Sequence, residues 1–196
     1  MKKKKSGYVV AIVGATGAVG TEMIEVLEER EFPVSRLVPL ASARSAGGTV
    51  TFQGNEVPIE VLTKDSFAGV DIALFSAGAE LSREFSPIAV KAGAVVIDNS
   101  AAWRMTLEVP LVVPEVNPHD IPRHKGIIAN PNCSTIQMVV ALKPLHDRAR
   151  IKRIVVTTFQ AVSGTGKDAM DELMTECQDL LSFKEASPKV YPYQIA

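Results

Sequence analysis

The sequence predicts an α/β protein, a Rossmann-like, doubly wound and mostly parallel sheet followed by the start of a second domain. Short apolar, β-branched runs alternate with segments that carry apolar residues at helical spacing, which is typical of parallel strands joined by crossover helices. The first run, Tyr8 to Val13, leads directly into Gly14-Ala15-Thr16-Gly17-Ala18-Val19-Gly20 and then into a helix-like segment. A strand, a glycine turn and a helix in this order predict a nucleotide-binding βαβ unit.

Composition places the chain among ordinary globular proteins. Of its 196 residues, 46% are hydrophobic and 22% are charged, and the net charge is -1. The balanced charge argues against nucleic acid or a membrane as partners. Two cysteines, Cys133 and Cys177, do not form a disulfide framework, so we expect a reducing, cytoplasmic setting.

The N-terminus resembles a signal peptide because Lys2 to Lys5 precede the apolar run Tyr8 to Val13. That run is short and enters the glycine motif, and no run in the chain has transmembrane length. We therefore expect a solvated basic tail and a buried first strand.

The glycine motif has the spacing G-x-x-G-x-x-G, with glycines at positions 14, 17 and 20. One glycine allows a tight turn, one allows the backbone to approach a pyrophosphate, and one allows close helix–strand packing. The N-terminus of the following helix would then hold the phosphates. The alternative is a tight turn without a ligand.

The end of the second predicted strand, Arg36 to Ala41, indicates which cofactor would bind. An NAD site usually has a carboxylate about twenty residues past the glycines, but residues 41–48 contain none. Arg44, with Ser42 and Ser45, instead offers a cation and two hydroxyls that suit a 2′-phosphate. NADP is therefore predicted, the alternative being that Arg44 is a solvated loop residue.

The middle of the chain continues the alternation. We predict a hairpin, two buried strands and one helix: Thr49 to Val61, Asp71 to Phe75, Ala94 to Asp98, and Leu81 to Ala92 with Pro87 inside it. Ser76 and Gly78 follow one strand, where small residues let the backbone approach a cofactor. Asn99 and Arg104 follow the other, at the strand ends where ligands collect in open α/β sheets. Arg104 is a candidate anion ligand, although a lone arginine is more often a surface residue.

Cys133 lies where a strand gives way to a helix. The run Ile127 to Ala129 stops at Asn130-Pro131, and Asn132 can cap a helix that covers the strand with residues Thr135 to Leu145. This places Cys133 in the first helical turn, where free N–H groups and the helix dipole favour a thiolate. A thiolate beside backbone donors can attack a carbonyl, but Cys133 could also be an inert small apolar residue.

The last third of the chain predicts a second domain. Ile151 to Val162 is a β-branched run expected to form at least one strand of a second sheet, and it enters a small-residue loop, Gln160 to Gly166. An amphipathic helix follows from about Ala169 to Leu181, with Cys177 on its apolar face. His119, His124 and His146 lack metal-ligand spacing, so no metal site is predicted.

Five segments in this order resemble the aspartate-semialdehyde dehydrogenase family. They are Gly14-Ala15-Thr16-Gly17-Ala18-Val19-Gly20, Ser42-Ala43-Arg44-Ser45-Ala46-Gly47, Asn99-Ser100-Ala101-Ala102-Trp103-Arg104, Asn130-Pro131-Asn132-Cys133-Ser134-Thr135 and Gln160-Ala161-Val162-Ser163-Gly164-Thr165-Gly166. N-acetyl-γ-glutamyl-phosphate reductase is the nearest alternative, but it usually carries Pro-Gly-Cys where this chain has Pro-Asn-Cys. An NADP-binding module without catalysis is the other alternative.

The resemblance implies an NADP-dependent, reversible conversion of L-aspartyl-4-phosphate to L-aspartate-4-semialdehyde, a step towards lysine, threonine, methionine and diaminopimelate. By the same resemblance Cys133 is the nucleophile, Asn132 stabilises an oxyanion, Arg104 and Asn99 bind phosphate, and Gln160 contacts the substrate. The implied cofactor ligands are Gly14, Thr16, Gly17, Ala18, Val19, Gly20, Ser42, Arg44, Ser45, Ser76, Gly78, Ser163 and Gly164.

The resemblance also implies two domains and, for the full-length protein, a homo-oligomer that is a dimer or a tetramer. Residues 1–132 would form the NADP-binding domain, and residues 133–196 would begin an α+β substrate and dimerisation domain. The family's acid/base histidine and its carboxylate-binding arginine are expected beyond position 196. We therefore expect the 196-residue chain to be a fragment that binds NADP weakly and does not turn over by itself.

Overall fold

A computed structural model describes residues 7–45 and 47–196, so the predicted basic tail at Lys2 to Lys5 lies outside the described residues. The chain forms two compact units that divide between Ile154 and Val155. The first unit contains β1 (Tyr8–Val13), α1 (Ala18–Glu29), β2 (Val34–Ala41), β3 (Thr49–Phe52), β4 (Asn55–Pro58), β5 (Glu60–Val61), β6 (Ile72–Phe75), α2 (Ala79–Lys91), β7 (Val95–Asp98), β8 (Ile127–Ala129) and α3 (Cys133–Ala149). The second contains a 3₁₀ turn (Val162–Thr165) and α4 (Lys167–Leu181).

The main sheet has six strands in the order β5-β2-β1-β6-β7-β8, and every pairing in it is parallel. The chain runs outward from β1 through β2 to β5 on one side and then crosses over to β6, β7 and β8 on the other, so the strand order reverses at β1. A crevice forms at such a switch point, at the carboxyl ends of the strands, and ligands of open α/β sheets bind there. The predicted Rossmann-like fold is confirmed, and β3 and β4 form the predicted hairpin as a separate antiparallel pair.

The core lies on both faces of the sheet because alternate residues of β1 point to opposite sides. Ala11 and Val13 pack with Phe67, Phe75 and Phe85 on one face. Ile12 packs on the other with Ile24, Leu37 and Phe52, which come from α1, β2 and β3. Burial on both faces explains why β1 is an unbroken apolar run.

Helix α2 begins two residues earlier than predicted and includes Pro87 in its interior. Proline removes a hydrogen bond from a helix body. The buried face formed by Ser82, Phe85, Ser86 and Ala89 holds this helix on the sheet despite that loss.

Two predictions about the last third of the chain are wrong. Residues 151–161 form no strand, and Val155 and Phe159 are 81% and 100% exposed. A strand needs a hydrogen-bonded neighbour, and no described residue pairs with this run. Helix α3 does begin at Cys133, but none of its residues is buried, so it does not cover the sheet as predicted. The amphipathic helix α4 forms as predicted, with Cys177 half-buried.

Candidate active site

The glycine motif closes the carboxyl end of β1. Gly14 has φ +90°, and a Cβ on it would lie 2.8 Å from the carbonyl oxygen of Ser76, which follows β6. A Cβ on Gly20 would lie 2.1 Å from the carbonyl oxygen of Gly14. These positions need glycine because backbone from the loop, from α1 and from the end of β6 meets there without room for a side chain.

The N-terminus of α1 opens at the same place. Gly17 is the N-cap and has no side-chain cap, and its own N–H donates to the carbonyl oxygen of Gly14 over 3.0 Å. The N–H groups of a first helical turn, here those of Ala18 and Val19, have no acceptor within the helix. The side chains of Thr16 and Val19 are exposed. This arrangement offers backbone donors to an anion.

The loop after β2 presents the predicted cation. Arg44 is exposed, and the N–H of Ser45 donates to the carbonyl oxygen of Ser42 over 2.9 Å, which closes a turn around it. Within residues 7–45 and 47–196, no carboxylate pairs with Arg44. Its guanidinium is therefore available to a phosphate.

Ser76 and Gly78 link the end of β6 to α2. The N–H of Ser76 donates to the carbonyl oxygen of Val13 over 2.9 Å, which extends the ladder between β1 and β6. Gly78 has φ +86° and is the N-cap of α2. A second helix N-terminus thus lies at the edge of the sheet where β1 ends.

Arg104 connects the ends of β7 and β8. Its Nε donates to the carbonyl oxygen of Asn130 over 2.9 Å, and its Nη2 donates to the carbonyl oxygen of Asn99 over 2.7 Å. The Nδ2 of Asn130 donates to the Oδ1 of Asn99 over 2.5 Å. The two asparagines therefore fix the half-buried guanidinium, whose Nη1 makes no hydrogen bond within the described residues.

Two residues of this cluster were not predicted to act there. Asp98 is fully buried at the end of β7, and its Oδ1 and Oδ2 accept from the N–H (3.1 Å) and the Oγ (2.7 Å) of Ser100. It fixes the loop that leads to Arg104. For Asn130, the sequence predicts only that a strand ends there. The Asp98-Asn99-Ser100 sequence is an Asx-turn pattern that could have indicated the first role, whereas the second depends on the pairing of β7 with β8.

Cys133 is exposed and is the first residue of α3, as predicted. Asn132 is the N-cap, and its Oδ1 accepts a hydrogen bond from the N–H of Ser134 over 3.1 Å. The thiol therefore lies among first-turn N–H groups, and it is not packed among aliphatic side chains. Asn130, which holds Arg104, lies three positions before it. The structure thus brings the candidate nucleophile and the candidate anion ligand to adjoining strand ends.

Gln160, Ser163 and Gly164 belong to the second unit. The Oε1 of Gln160 accepts from the Oγ1 of Thr158 over 3.3 Å, and its side chain is exposed. Ser163 and Gly164 are exposed members of the 3₁₀ turn. A Cβ on Gly164 would meet no atom within 4 Å, so packing does not require glycine there.

A cavity of about 420 Å³ in the first unit is lined by other residues. They are Leu107, Glu108, Val109, Pro110, Leu111, Asp120, Arg123 and Lys125. A hydrogen bond from Arg123, and to a smaller extent one from Asn117, holds the pKa of Asp120 below its ordinary value. Lys125 forms an ion pair with Glu108 over 3.1 Å. Both cations of this cavity are already paired, so it lacks the free charge found at the strand ends.

In the part of the chain that the structure describes, no helix has both the length and the apolar character needed to cross a bilayer. His, Cys, Asp and Glu side chains of the same residues form no group of three that could hold a metal ion.

Two family models match the chain. Residues 9–124 match "Semialdehyde dehydrogenase, NAD binding domain", and residues 142–196 match "Semialdehyde dehydrogenase, dimerisation domain". The first match covers the glycine motif, Arg44 and Arg104. The second match covers the whole second unit. Cys133 lies between them.

Two curated relatives illustrate the similarity to known proteins. The chain is 58% identical over 195 residues to aspartate-semialdehyde dehydrogenase of Aquifex aeolicus. This alignment covers 97% of the chain and 57% of the Aquifex protein. The chain is 51% identical over 197 residues to the Bacillus subtilis protein of the same name, covering 97% of this chain and 57% of the relative. The chain thus spans about half the length of these relatives.

Solved structures agree with these matches. Aspartate semialdehyde dehydrogenase II of Vibrio cholerae, complexed with ASA, superposes with a TM-score of 0.93 at 52% identity and covers 98% of this chain and 58% of that one. The Candida albicans enzyme with NADP has a TM-score of 0.66 at 29% identity and covers 84% and 53% of the two chains.

Proposed function

Because the chain belongs to the semialdehyde dehydrogenase family, we propose that the protein catalyses the NADP-dependent, reversible conversion of L-aspartyl-4-phosphate to L-aspartate-4-semialdehyde and phosphate. The observation that carries the proposal is the exposed thiol of Cys133 at a helix start, next to strand ends that hold Arg104. The product serves lysine, threonine, methionine and diaminopimelate synthesis.

Cys133 is the proposed nucleophile. Its thiolate attacks the acyl carbon of the acyl phosphate, and a tetrahedral oxyanion forms. The N–H of Ser134 already donates to the Asn132 cap, so the other first-turn N–H groups of α3 and the Nδ2 of Asn132 are the available donors for that oxyanion. The carbon–oxygen bond to phosphate then breaks and leaves a thioester on Cys133. A thiol suits both steps because it attacks well and also leaves well.

Arg104 is the proposed phosphate ligand, with Asn99 beside it. Two hydrogen bonds to main-chain carbonyls fix the guanidinium before any ligand arrives. A fixed cation stabilises the charge on a departing phosphate without having to reorganise. In the reverse direction the same residue would hold inorganic phosphate as it attacks the thioester.

The first-unit residues fit a dinucleotide cofactor. The backbone around Gly14 and Gly20 is too close to allow a side chain at either position. The N-terminus of α1, which has no side-chain cap, offers N–H donors for the pyrophosphate. Gly17, Ala18, Val19 and Thr16 would form this cradle, with Ser76 and Gly78 at its rim. Arg44, Ser42 and Ser45 would bind the 2′-phosphate, so NADP is proposed over NAD. When bound, the cofactor supplies or accepts the hydride.

Three residues of the second unit are also proposed as ligands. Ser163 and Gly164 are proposed to contact the nicotinamide end, and Gln160 to contact the substrate. We propose residues 1–132 as the NADP-binding domain and 133–196 as the beginning of the substrate and dimerisation domain. The matched ranges 9–124 and 142–196 lie on either side of this boundary and support it.

Assembly and compartment follow from the same proposal. The dimerisation-domain match supports a homo-oligomer, and a homodimer is proposed. Both cysteines are free thiols, which supports a reducing, cytoplasmic setting. The 196-residue chain alone is proposed to bind NADP without turnover, because none of its three histidines lies in the family's acid/base context.

Paired cysteine substitutions test the function. In the full-length protein, Cys133→Ser should abolish phosphate-dependent NADPH formation from aspartate semialdehyde, whereas Cys177→Ser should leave it within about twofold. Mass spectrometry should find the acyl group on Cys133 alone. Activity that survives Cys133→Ser, or a preference for N-acetyl-glutamate semialdehyde, would contradict the proposal.

A further inference from the structure

Two glutamates of α4 are buried. Glu172 and Glu176 lie one helical turn apart and are 8% and 2% exposed. A buried carboxylate is costly unless hydrogen bonds compensate for its lost hydration. Here the compensation comes from the main chain of the C-terminal segment, residues 189–196.

Glu172 receives three of these hydrogen bonds. Its Oε2 accepts from the N–H groups of Lys189 and Val190, each over 2.5 Å, and its Oε1 accepts from the N–H of Tyr191 over 3.0 Å. Burial raises the pKa of Glu172, but the three N–H groups outweigh burial and keep the pKa below its ordinary value of 4.5. The carboxylate is thus charged at neutral pH and holds the segment firmly.

Glu176 holds the segment further along. Its Oε2 accepts from the N–H groups of Ile195 and Ala196, over 2.9 and 3.1 Å. Five main-chain N–H groups of residues 189–196 therefore point at two carboxylates of one helix.

Tyr191 links this segment to the 3₁₀ turn. Its phenol oxygen lies 2.6 Å from the Oγ1 of Thr165, the last residue of that turn. The N–H of Tyr191 is held by Glu172, so the position of the phenol depends on the glutamate. Gly166, with φ +109°, directly joins the turn to α4. The turn is thus fixed by two attachments. One is its main-chain connection to α4, and the other is the contact between the side chains of Thr165 and Tyr191.

We propose that Glu172 and Tyr191 are positioning residues that fix the turn Val162–Thr165 in the shape required for cofactor binding. This inference rests on the proposed function, which assigns Ser163 and Gly164 to the nicotinamide end of NADP. Both residues act through Thr165, so their contribution is to the geometry of the turn. Substitution of either residue should raise the NADPH Kd and leave the alkylation rate of Cys133 unchanged.

Tyr191→Phe is the sharpest test because it removes one oxygen atom. Tyr193→Phe is its matched control, since Tyr193 lies in the same segment, is 78% exposed, and makes no hydrogen bond within the described residues. We would titrate NADPH against each 196-residue chain and follow amide hydrogen exchange at residues 163–166. Tyr191→Phe should raise the NADPH Kd about three- to tenfold and speed exchange at Gly164 and Gly166. Tyr193→Phe should change neither.

Glu172→Gln provides a second test, with Glu185→Gln as control because Glu185 is exposed. Glu172→Gln should reproduce the effects of Tyr191→Phe, and alkylation of Cys133 should keep the wild-type rate. In the full-length protein, the same substitution should raise KM for NADP while kcat changes less than twofold.

The outcomes distinguish a failure of this inference from a failure of the proposed cofactor site. Equal Kd values and equal exchange for Tyr191→Phe and Tyr193→Phe would overturn the inference. If the wild-type chain does not bind NADPH at all, the proposed cofactor site is wrong, and the exchange rates alone decide whether Tyr191 holds the turn. If Glu172→Gln does not fold, the result for Tyr191→Phe decides.

Discussion

The Nε of Arg104 donates a hydrogen bond to the main-chain carbonyl of Asn130 over 2.9 Å, three positions before Cys133. This contact ties the loop after β7 to the strand end that leads into α3. The guanidinium of Arg104 and the thiol of Cys133 are therefore both positioned by the segment that follows β8. A substitution at Arg104 should for this reason alter the rate of the reaction at Cys133.

In the full-length protein, replacing Arg104 by lysine should lower kcat/KM for phosphate about 100- to 1000-fold. Lysine keeps the charge but cannot donate to the carbonyls of Asn99 and Asn130 and also face a phosphate. NADPH binding should be unchanged. Steady-state kinetics with varied phosphate would measure the loss, with Arg123→Lys as control because Arg123 is exposed and pairs with Asp120. A loss smaller than tenfold would remove Arg104 from the phosphate site.

Replacing Arg44 by alanine should weaken NADP binding about 10- to 100-fold and leave NAD binding unchanged. The reason is that only NADP carries the 2′-phosphate that the exposed guanidinium would contact. Titration of both cofactors by fluorescence would test this, with Arg36→Ala, an exposed arginine of β2, as the control. Equal weakening of NAD and NADP would show that Arg44 does not select between them.

Gly20→Ala should destabilise the first unit by about 1–3 kcal/mol. Its Cβ would lie 2.1 Å from the carbonyl oxygen of Gly14, and backbone on both sides would have to move. Gly48→Ala is the matched control, because a Cβ there meets no heavy atom closer than 3.5 Å. Urea unfolding would compare the two. A Gly20→Ala chain as stable as the control would mean that the loop can shift without cost.

The carboxylate of Glu172 should make the second unit sensitive to acid. Its pKa in the folded chain lies below the ordinary value of 4.5, so the unfolded chain takes up a proton first as the pH falls. The stabilisation is complete above pH 4.5 and is lost as the pH falls through the lower, folded pKa. Urea unfolding at several pH values should show wild-type and Glu172→Gln chains differing at pH 7 and converging in acid. A constant difference would exclude Glu172 as the titrating group.

Local patterns predicted the first unit well. The glycine motif, the run of β1 and the Asn132 cap depend on neighbours in sequence, and each was found in place. The strand predicted at Ile151 to Val162 was wrong because strand formation depends on a partner, which no β-branched run supplies by itself. The role of Asn130 was missed for a similar reason. It arises where β7 and β8 lie side by side, although 31 positions separate Asn99 from Asn130. The role of Asp98 is local, since its carboxylate accepts from Ser100 two positions later.

The central place of β1 also constrains how the chain folds during synthesis. Strand β1 pairs with β2 on one side, but its other edge stays unpaired until β6 is made. The N–H of Val9 likewise donates to the carboxylate of Asp71, which lies 62 positions later. A nascent chain that stops short of Phe75 exposes an apolar, unpaired strand edge, which is a template for aggregation. Ribosome-bound chains should therefore become resistant to protease only after β6 has emerged.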